Sequence, residues 1–276
     1  MILGENIGGV YSKGREIQRV FSKGKLVWEK KNNDDIDYSV LPFTVKAIAD
    51  DVSVKLRGDI GTTVSYKYSI NGGSWIETDT STTINIKKDD IVSYKGLDIY
   101  RCKIKGLSDI YGNIMSLHYD DNFIGQTVWL HKGTHNFFES SDIRNAHNLI
   151  LPATTLASRC YSQMFYNCTS LTTAPELPAT TLATECYLYM FYNCTSLTTA
   201  PELPATTFAT ACYPYMFNNC SNLNYIKCYT RYDMAYMDIL YFAGGASPTG
   251  KLVCYEEVAD AFREHIPSTW TVEYLN

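Results

Sequence analysis

No stretch of this 276-residue chain approaches the roughly 18 consecutive apolar residues that a membrane-spanning helix needs, which excludes a helix-anchored membrane protein. The start, Met1 to Asn6, lacks the basic segment, the apolar segment and the lipobox-like cysteine of an export signal, so synthesis and first folding in a reducing cytoplasm are expected. Positive charge is in deficit: 24 Lys and Arg against 29 Asp and Glu give a net charge of −5, which argues against a protein that coats nucleic acid. No Gly-rich phosphate loop, G-x-S-x-G elbow or Cys/His nucleophile pattern occurs, so the chain is expected not to be an enzyme and to need no cofactor. Nine cysteines form an odd set in a chain far larger than disulfide-stapled secreted domains, and buried free thiols are expected instead.

What is present is repetition. Leu151 to Glu176 returns at Leu177 to Glu202 with four changes, and a third copy starts at Leu203 and drifts after Leu223, giving a period of 26 residues. Within a copy Leu156, Cys160, Met164 and Cys168 recur at every fourth position with Phe165 beside them, a spacing that predicts short helical turns with an apolar stripe. A short Thr-rich stretch follows, and Pro175 and Pro178 interrupt hydrogen bonding. Each copy reads as strand, turn, short helix, turn, and such a unit buries its apolar face only by stacking on its neighbours. Stacking sets Cys160, Cys186 and Cys212 in one column and Cys168, Cys194 and Cys220 in another, a poor geometry for disulfides.

Residues 1 to 31 differ from the rest, with seven Lys or Arg against three Glu. There Val10 to Gly14 is echoed by Val20 to Gly24, and two Ser-Lys-Gly turns predict a three-strand meander too small for a core of its own. Its Tyr11, Lys13, Arg15, Arg19, Phe21, Lys23 and Trp28 are the expected attachment residues. A polar linker, Lys30 to Tyr38, leads to period-2 stretches at Thr44 to Ile48, Val52 to Leu56, Val64 to Ile70 and Ile91 to Tyr94, with a hairpin signal at Asn71-Gly72-Gly73. These predict a small β-sandwich. Near the end, Val258, Phe262 and Ile266 at every fourth position, followed by Pro267, predict an amphipathic helix over Glu256 to His265.

The Met-Phe-x-Asn-Cys-x-x-Leu core of each copy (Met164 to Leu171, Met190 to Leu197, Met216 to Leu223) resembles the A-F-x-x-C-x-x-L core of bacterial BspA-like leucine-rich repeats, with Met in place of Ala. Ile110 to Leu117 with Asp121 to Phe123 resembles the segment leading into such arrays, and Gly250 to Cys254 with Ile266 to Val272 resembles their closing cap. The N-terminal V-Y/F-S-K-G phrase followed by L-V-W is similar to short segments of phage virion proteins from gut anaerobes. The resemblance implies a mainly β fold with short helices: a meander at 1–31, a β-sandwich at 40–108, a solenoid cap at 109–150, leucine-rich repeats at 151–228 and a C-terminal cap at 229–276.

It also implies a non-catalytic role as a virion structural protein, with a bacterial cell-surface adhesin as the alternative and a glycan-acting enzyme as a remote one. The expected partners are virion proteins through residues 1–31, host-surface glycan or protein, and further copies of the chain, with no nucleic acid or membrane insertion. From Leu151 to Ile226 only Arg159, Glu176, Glu185 and Glu202 are charged, against 14 Thr and 8 Tyr. The four positions that change between the first two copies, Ser158/Thr184, Arg159/Glu185, Ser162/Leu188 and Gln163/Tyr189, are expected to be exposed. Arg159, Gln163, Glu185, Tyr189 and Tyr215 are therefore the expected binding residues, the tyrosines supplying rigid amphipathic contact area. Three chemical alternatives are weaker. Glu176 and Glu202, one copy apart, could sit near a retaining glycosidase spacing but belong to solvated corners. His131 and His135 have a zinc-compatible spacing without a third ligand, and Asp120-Asp121-Asn122 lacks the alternation and closing Glu of an EF-hand loop.

Overall fold

The computed structural model describes residues 36–128, 136–231 and 239–276, together with the backbone of four short strands between residues 11 and 29. Those strands form two separate antiparallel hairpins, β1 (Tyr11–Ser12) with β2 (Arg15–Glu16) and β3 (Arg19–Ser22) with β4 (Lys25–Glu29). Where a three-strand meander is expected, the described residues show β2 and β3 unpaired with each other, and residues 17 and 18 between them lie outside the described residues.

The chain is mainly β, with several open sheets and few short helices. Strands β5 (Thr44–Ala47), β6 (Val52–Arg57), β7 (Ser65–Ile70) and β10 (Ile91–Gly96) coincide with the period-2 stretches. Between them lie β8 (Ile76–Asp79) and β9 (Ile84–Ile86), and β11 (Arg101–Lys105) and β12 (Ser108–Asn113) follow. Alternation dictates which face is buried: Val52, Val54 and Leu56 of β6 point into the core while Ser53 and Lys55 between them do not. The turn from β7 to β8 uses Asn71 and Gly72, both at positive φ, the backbone that an Asn-Gly hairpin supplies at little cost. One sheet runs β13-β12-β5-β10-β7-β8, where β13 is Ile143–Asn145, and a second runs β11-β6-β9. Strand β12 pairs antiparallel with β5 on one side and parallel with β13 and β14 (Leu149–Ile150) on the other. It is the element through which the sheets continue into the repeats. Gly112, at φ 83°, lies so close to the Pro42 carbonyl that an added Cβ would collide with it.

The repeats contain no α-helix. In each copy the segment carrying Cys160, Met164 and Phe165 is an unbroken run of turns in which every fourth residue has positive φ: Arg159, Gln163 and Asn167, then Glu185, Tyr189 and Asn193, then Ala211, Tyr215 and Asn219. This corrects the expected short helices. Each left-handed residue undoes the rotation of the three before it, so the N–H groups cannot all reach back along one axis. They divide between two directions instead. Cys160, Met164 and Tyr166 donate to carbonyls three residues earlier, whereas Tyr161, Gln163, Phe165 and Asn167 donate to Cys186, Leu188, Met190 and Tyr192 of the next copy. The same pattern links the second copy to the third, and every one of these amides is satisfied without helix or sheet.

Two further rungs flank the three copies. Asn136 and Ser140, four apart and both at positive φ, donate to Ser162 and Tyr166, while Tyr215, Phe217 and Asn219 donate to Leu240, Phe242 and Gly244. On the remaining sides the copies touch through isolated parallel bridges such as Asn145 with Thr173, Thr155 with Thr181 and Thr199 with Tyr225. The parallel sheet β15 (Tyr225–Lys227), β16 (Lys251–Cys254) and β17 (Thr271–Tyr274) closes the carboxyl end; after the one-turn helix α1 (Ser116–Tyr119), a longer helix α2 (Glu256–Arg263) lies where the sequence predicts one, burying Val258 and Phe262.

One core joins all of this. Ring centroids follow one another from Phe43 to Phe138 (5.6 Å), Phe165 (5.3 Å), Phe191 (5.4 Å), Phe217 (5.5 Å), Phe242 (5.5 Å) and Phe262 (5.1 Å). Beside this spine Tyr161, Tyr187 and Tyr213 stack in a buried column. None of the nine cysteines is in a disulfide, and all are buried. The thiols of Cys168, Cys194 and Cys220 donate to the carbonyls of Phe138, Phe165 and Phe191, so each ties its copy to the preceding rung.

Candidate binding face

The turn run puts the side chains of its left-handed residues on the outer surface, where equivalent positions of successive copies form columns. In one column Gln163, Tyr189, Tyr215 and Tyr241 follow each other. The Tyr189 and Tyr215 rings stack at 4.5 Å with 12° between planes, and Tyr215 and Tyr241 at 5.2 Å with 22°. Beside it Tyr166 and Tyr192 stack at 4.9 Å, and the edge contact of Tyr192 with Tyr189 (5.5 Å) joins the two columns into one aromatic strip. Asn193 donates its amide to Asn167, and the Asn219 amide donates to the Tyr192 hydroxyl (3.1 Å), forming a polar border.

Of the expected binding residues, the structure brings Tyr189 and Tyr215 into contact and places Gln163 in line with them. Arg159 and Glu185 occupy another column and form an ion pair with each other, which removes net charge from that side. Burial first, then the phenols of Tyr215, Tyr192 and Tyr166 and a hydrogen bond with Tyr215, pushes the Tyr189 phenol above its ordinary range. The expectation that copy-to-copy variation marks exposure holds at Ser158, Arg159 and Thr184, is met only in part at Gln163, Glu185, Leu188 and Tyr189, which are partly exposed, and fails at Ser162. Its side chain is buried and its hydroxyl donates to the Leu188 carbonyl.

Tyr166, Tyr192 and Tyr241 were not among the expected residues. Tyr241 is 56% exposed, and the neighbouring Leu240 is 45% exposed. The signal was available: one more step of 26 from Tyr215 lands on Tyr241, although the surrounding residues have drifted beyond recognition as a copy.

The weighed alternatives meet other surroundings. Glu176 and Glu202 are exposed, and Glu202 is held by Lys227 (3.0 Å) and the Tyr229 hydroxyl (3.2 Å). Asp120 and Asp121 are engaged by ammonium groups: Lys67 contacts Asp120 at 2.7 Å, and buried Lys95, itself 4.5 Å above the Trp75 ring, contacts Asp121 at 2.6 Å. The Lys95 hydrogen bond is the main cause holding the Asp121 carboxyl below its ordinary range. His131 and His135 lie outside the described residues, as do Lys13 and Lys23. Tyr11, Arg15, Arg19, Phe21 and Trp28 are on described strands whose backbone alone is defined. Among the described residues no group of three or more His, Cys, Asp or Glu is arranged to hold a metal ion. Comparison with family models, curated proteins and solved structures finds no match to the chain, so the BspA-like resemblance rests on the sequence motifs alone.

Proposed function

We propose that this chain is a non-enzymatic structural protein of a phage virion, a fibre, decoration or tail or neck appendage, that presents its repeat face to the host surface. In this reading residues 1–31 attach the protein to the particle, the strands between residues 40 and 108 form a spacing β-sandwich, and the 26-residue copies form a leucine-rich-repeat solenoid. The observation that carries the reading is the aromatic strip: five tyrosines in contact on a face whose one ion pair is internally neutralised. Rigid aromatics of this kind, four of them partly exposed and Tyr241 exposed, supply contact area at low entropic cost. The lattice of copy-to-copy hydrogen bonds supplies a preorganised base for them.

Particles assembled with the Tyr189→Ala, Tyr215→Ala double variant should adsorb to host cells at least tenfold more weakly while the purified protein melts within about 2 °C of the parent. Deleting residues 1–31 should instead leave a soluble protein absent from particles, detected by quantitative immunoblot of purified virions. Normal incorporation of the truncated chain would refute the attachment role.

A further inference from the structure

Resting on the reading of the strip as a recognition face, we infer that its ligand is a neutral, extended glycan chain running parallel to the column axis and read by ring edges and phenol hydroxyls, one sugar per copy. The stacking itself restricts what can bind. With Tyr189 on Tyr215 and Tyr215 on Tyr241 at 4.5 and 5.2 Å and nearly parallel, the ring faces inside the column are occupied by one another. No sugar or peptide side chain can enter between them. What is left to a ligand is the outer margin of the column, where Tyr189 and Tyr215 are partly exposed and Tyr241, at its end, is 56% exposed.

The spacing selects among polymers. A ligand that sets one unit against each ring must advance by the ring spacing per unit, and a chain of pyranoses joined through equatorial 1 and 4 oxygens does so closely, alternate sugars turning opposite edges to the column; phenol hydroxyls, which both donate and accept, take either edge. An extended peptide advances about 3.3 Å per residue, so from a residue set against one ring it has none in step with the next ring, and the third residue on, which comes into step at the second copy along, carries its side chain on the opposite face. Polyanions such as nucleic acid need unpaired cations, whereas Arg159 on this side is already matched by Glu185. Hydroxyl and amide groups that both donate and accept, here the phenols with Asn193 and Asn219, complement the vicinal hydroxyls of a neutral sugar.

The test uses the full chain and three neutral probe series, β-1,4-linked gluco-, manno- and xylo-oligosaccharides from one to six sugars, with polygalacturonate as the anionic contrast, read by isothermal titration calorimetry. At least one neutral series should bind with affinity that rises to three sugars and then levels, matching the three rings of the column, and polygalacturonate should not bind. Tyr241→Ala should weaken binding at least tenfold. Gln163→Tyr, which lengthens the column by one ring in a position where the next copy already carries tyrosine, should tighten it and move the plateau to four sugars. Absence of binding by all three series, affinity independent of length, or a plateau unmoved by Gln163→Tyr overturns the inference. If the double tyrosine variant loses adsorption while no neutral series binds, host recognition stands and the glycan assignment falls. Length-dependent binding with unchanged adsorption does the reverse.

Discussion

At the scale of single residues, backbone conformation and side-chain chemistry pull in different directions. Asn167, Asn193 and Asn219 occupy left-handed positions that asparagine tolerates well, but Arg159, Tyr189, Ala211 and Tyr215 hold the same conformation against a cost of about 1–2 kcal/mol each. Ala211→Gly should therefore raise stability by up to about 1 kcal/mol, seen as a higher denaturation midpoint in urea, whereas a β-branched residue there should lower it. The thiols give a second expectation. Burial pushes Cys160, Cys168, Cys186 and Cys220 up to about 12, against about 8.5 for a free thiol. Above the unfolded value the native state keeps protons that the unfolded chain releases. Their contribution is complete below about pH 8.5 and is lost as pH rises toward the folded value, at about 2 kcal/mol per thiol by pH 10. Urea midpoints should be flat from about pH 6 to 8 and fall steeply between about 8.5 and 10. Residue identity made Tyr189 legible in the sequence, because it differs between near-identical copies. Ser162 misled for the same reason, since a partly enclosed position also accepts several sizes.

At the scale of elements, the strands of the two sheets were legible because alternation and the Asn-Gly turn act locally. The repeat element was misread as helical because spacing by four resembles a helical stripe. A true α-helix turns through about 400° in four residues, so a stripe kept strictly at every fourth position would drift by about 40° per step. Cys160, Met164 and Cys168 do not drift: all are buried, since the backbone resets at each left-handed residue. Asn167 and its equivalents were the sign of this, a residue suited to positive φ recurring in register. Because each copy meets its neighbours through the same hydrogen bonds and the same Phe stack, removal of Leu177–Glu202 should let Phe165 meet Phe217. The shortened chain should unfold in a single transition by calorimetry, lowered by a few degrees. Loss of cooperative unfolding would show that the copies are not interchangeable.

For the molecule as a whole, the turn rungs have a property that the bridged sides lack. Ala146 donates to Thr173 while Thr172 donates back to Arg144, so those peptide units oppose each other, but from rung to rung Tyr161, Gln163, Phe165 and their equivalents all donate toward the carboxyl end. Aligned peptide dipoles of about 3.5 D therefore add along this face, with the negative pole at the first rung, opposite in chain sense to an α-helix. Each pole has a partner. At the negative end the Lys103 ammonium donates to the Glu139 and Ser140 carbonyls, and at the positive end the Ala243 amide donates to the His265 carbonyl just beyond α2. Lys103→Met should lower stability by about 1 kcal/mol, and Lys105→Met, at an exposed site nearby, by much less, both read from urea unfolding. Adding or removing a copy changes the separation of the poles and leaves their charge the same, so one lysine and one helix end can terminate an array of any length.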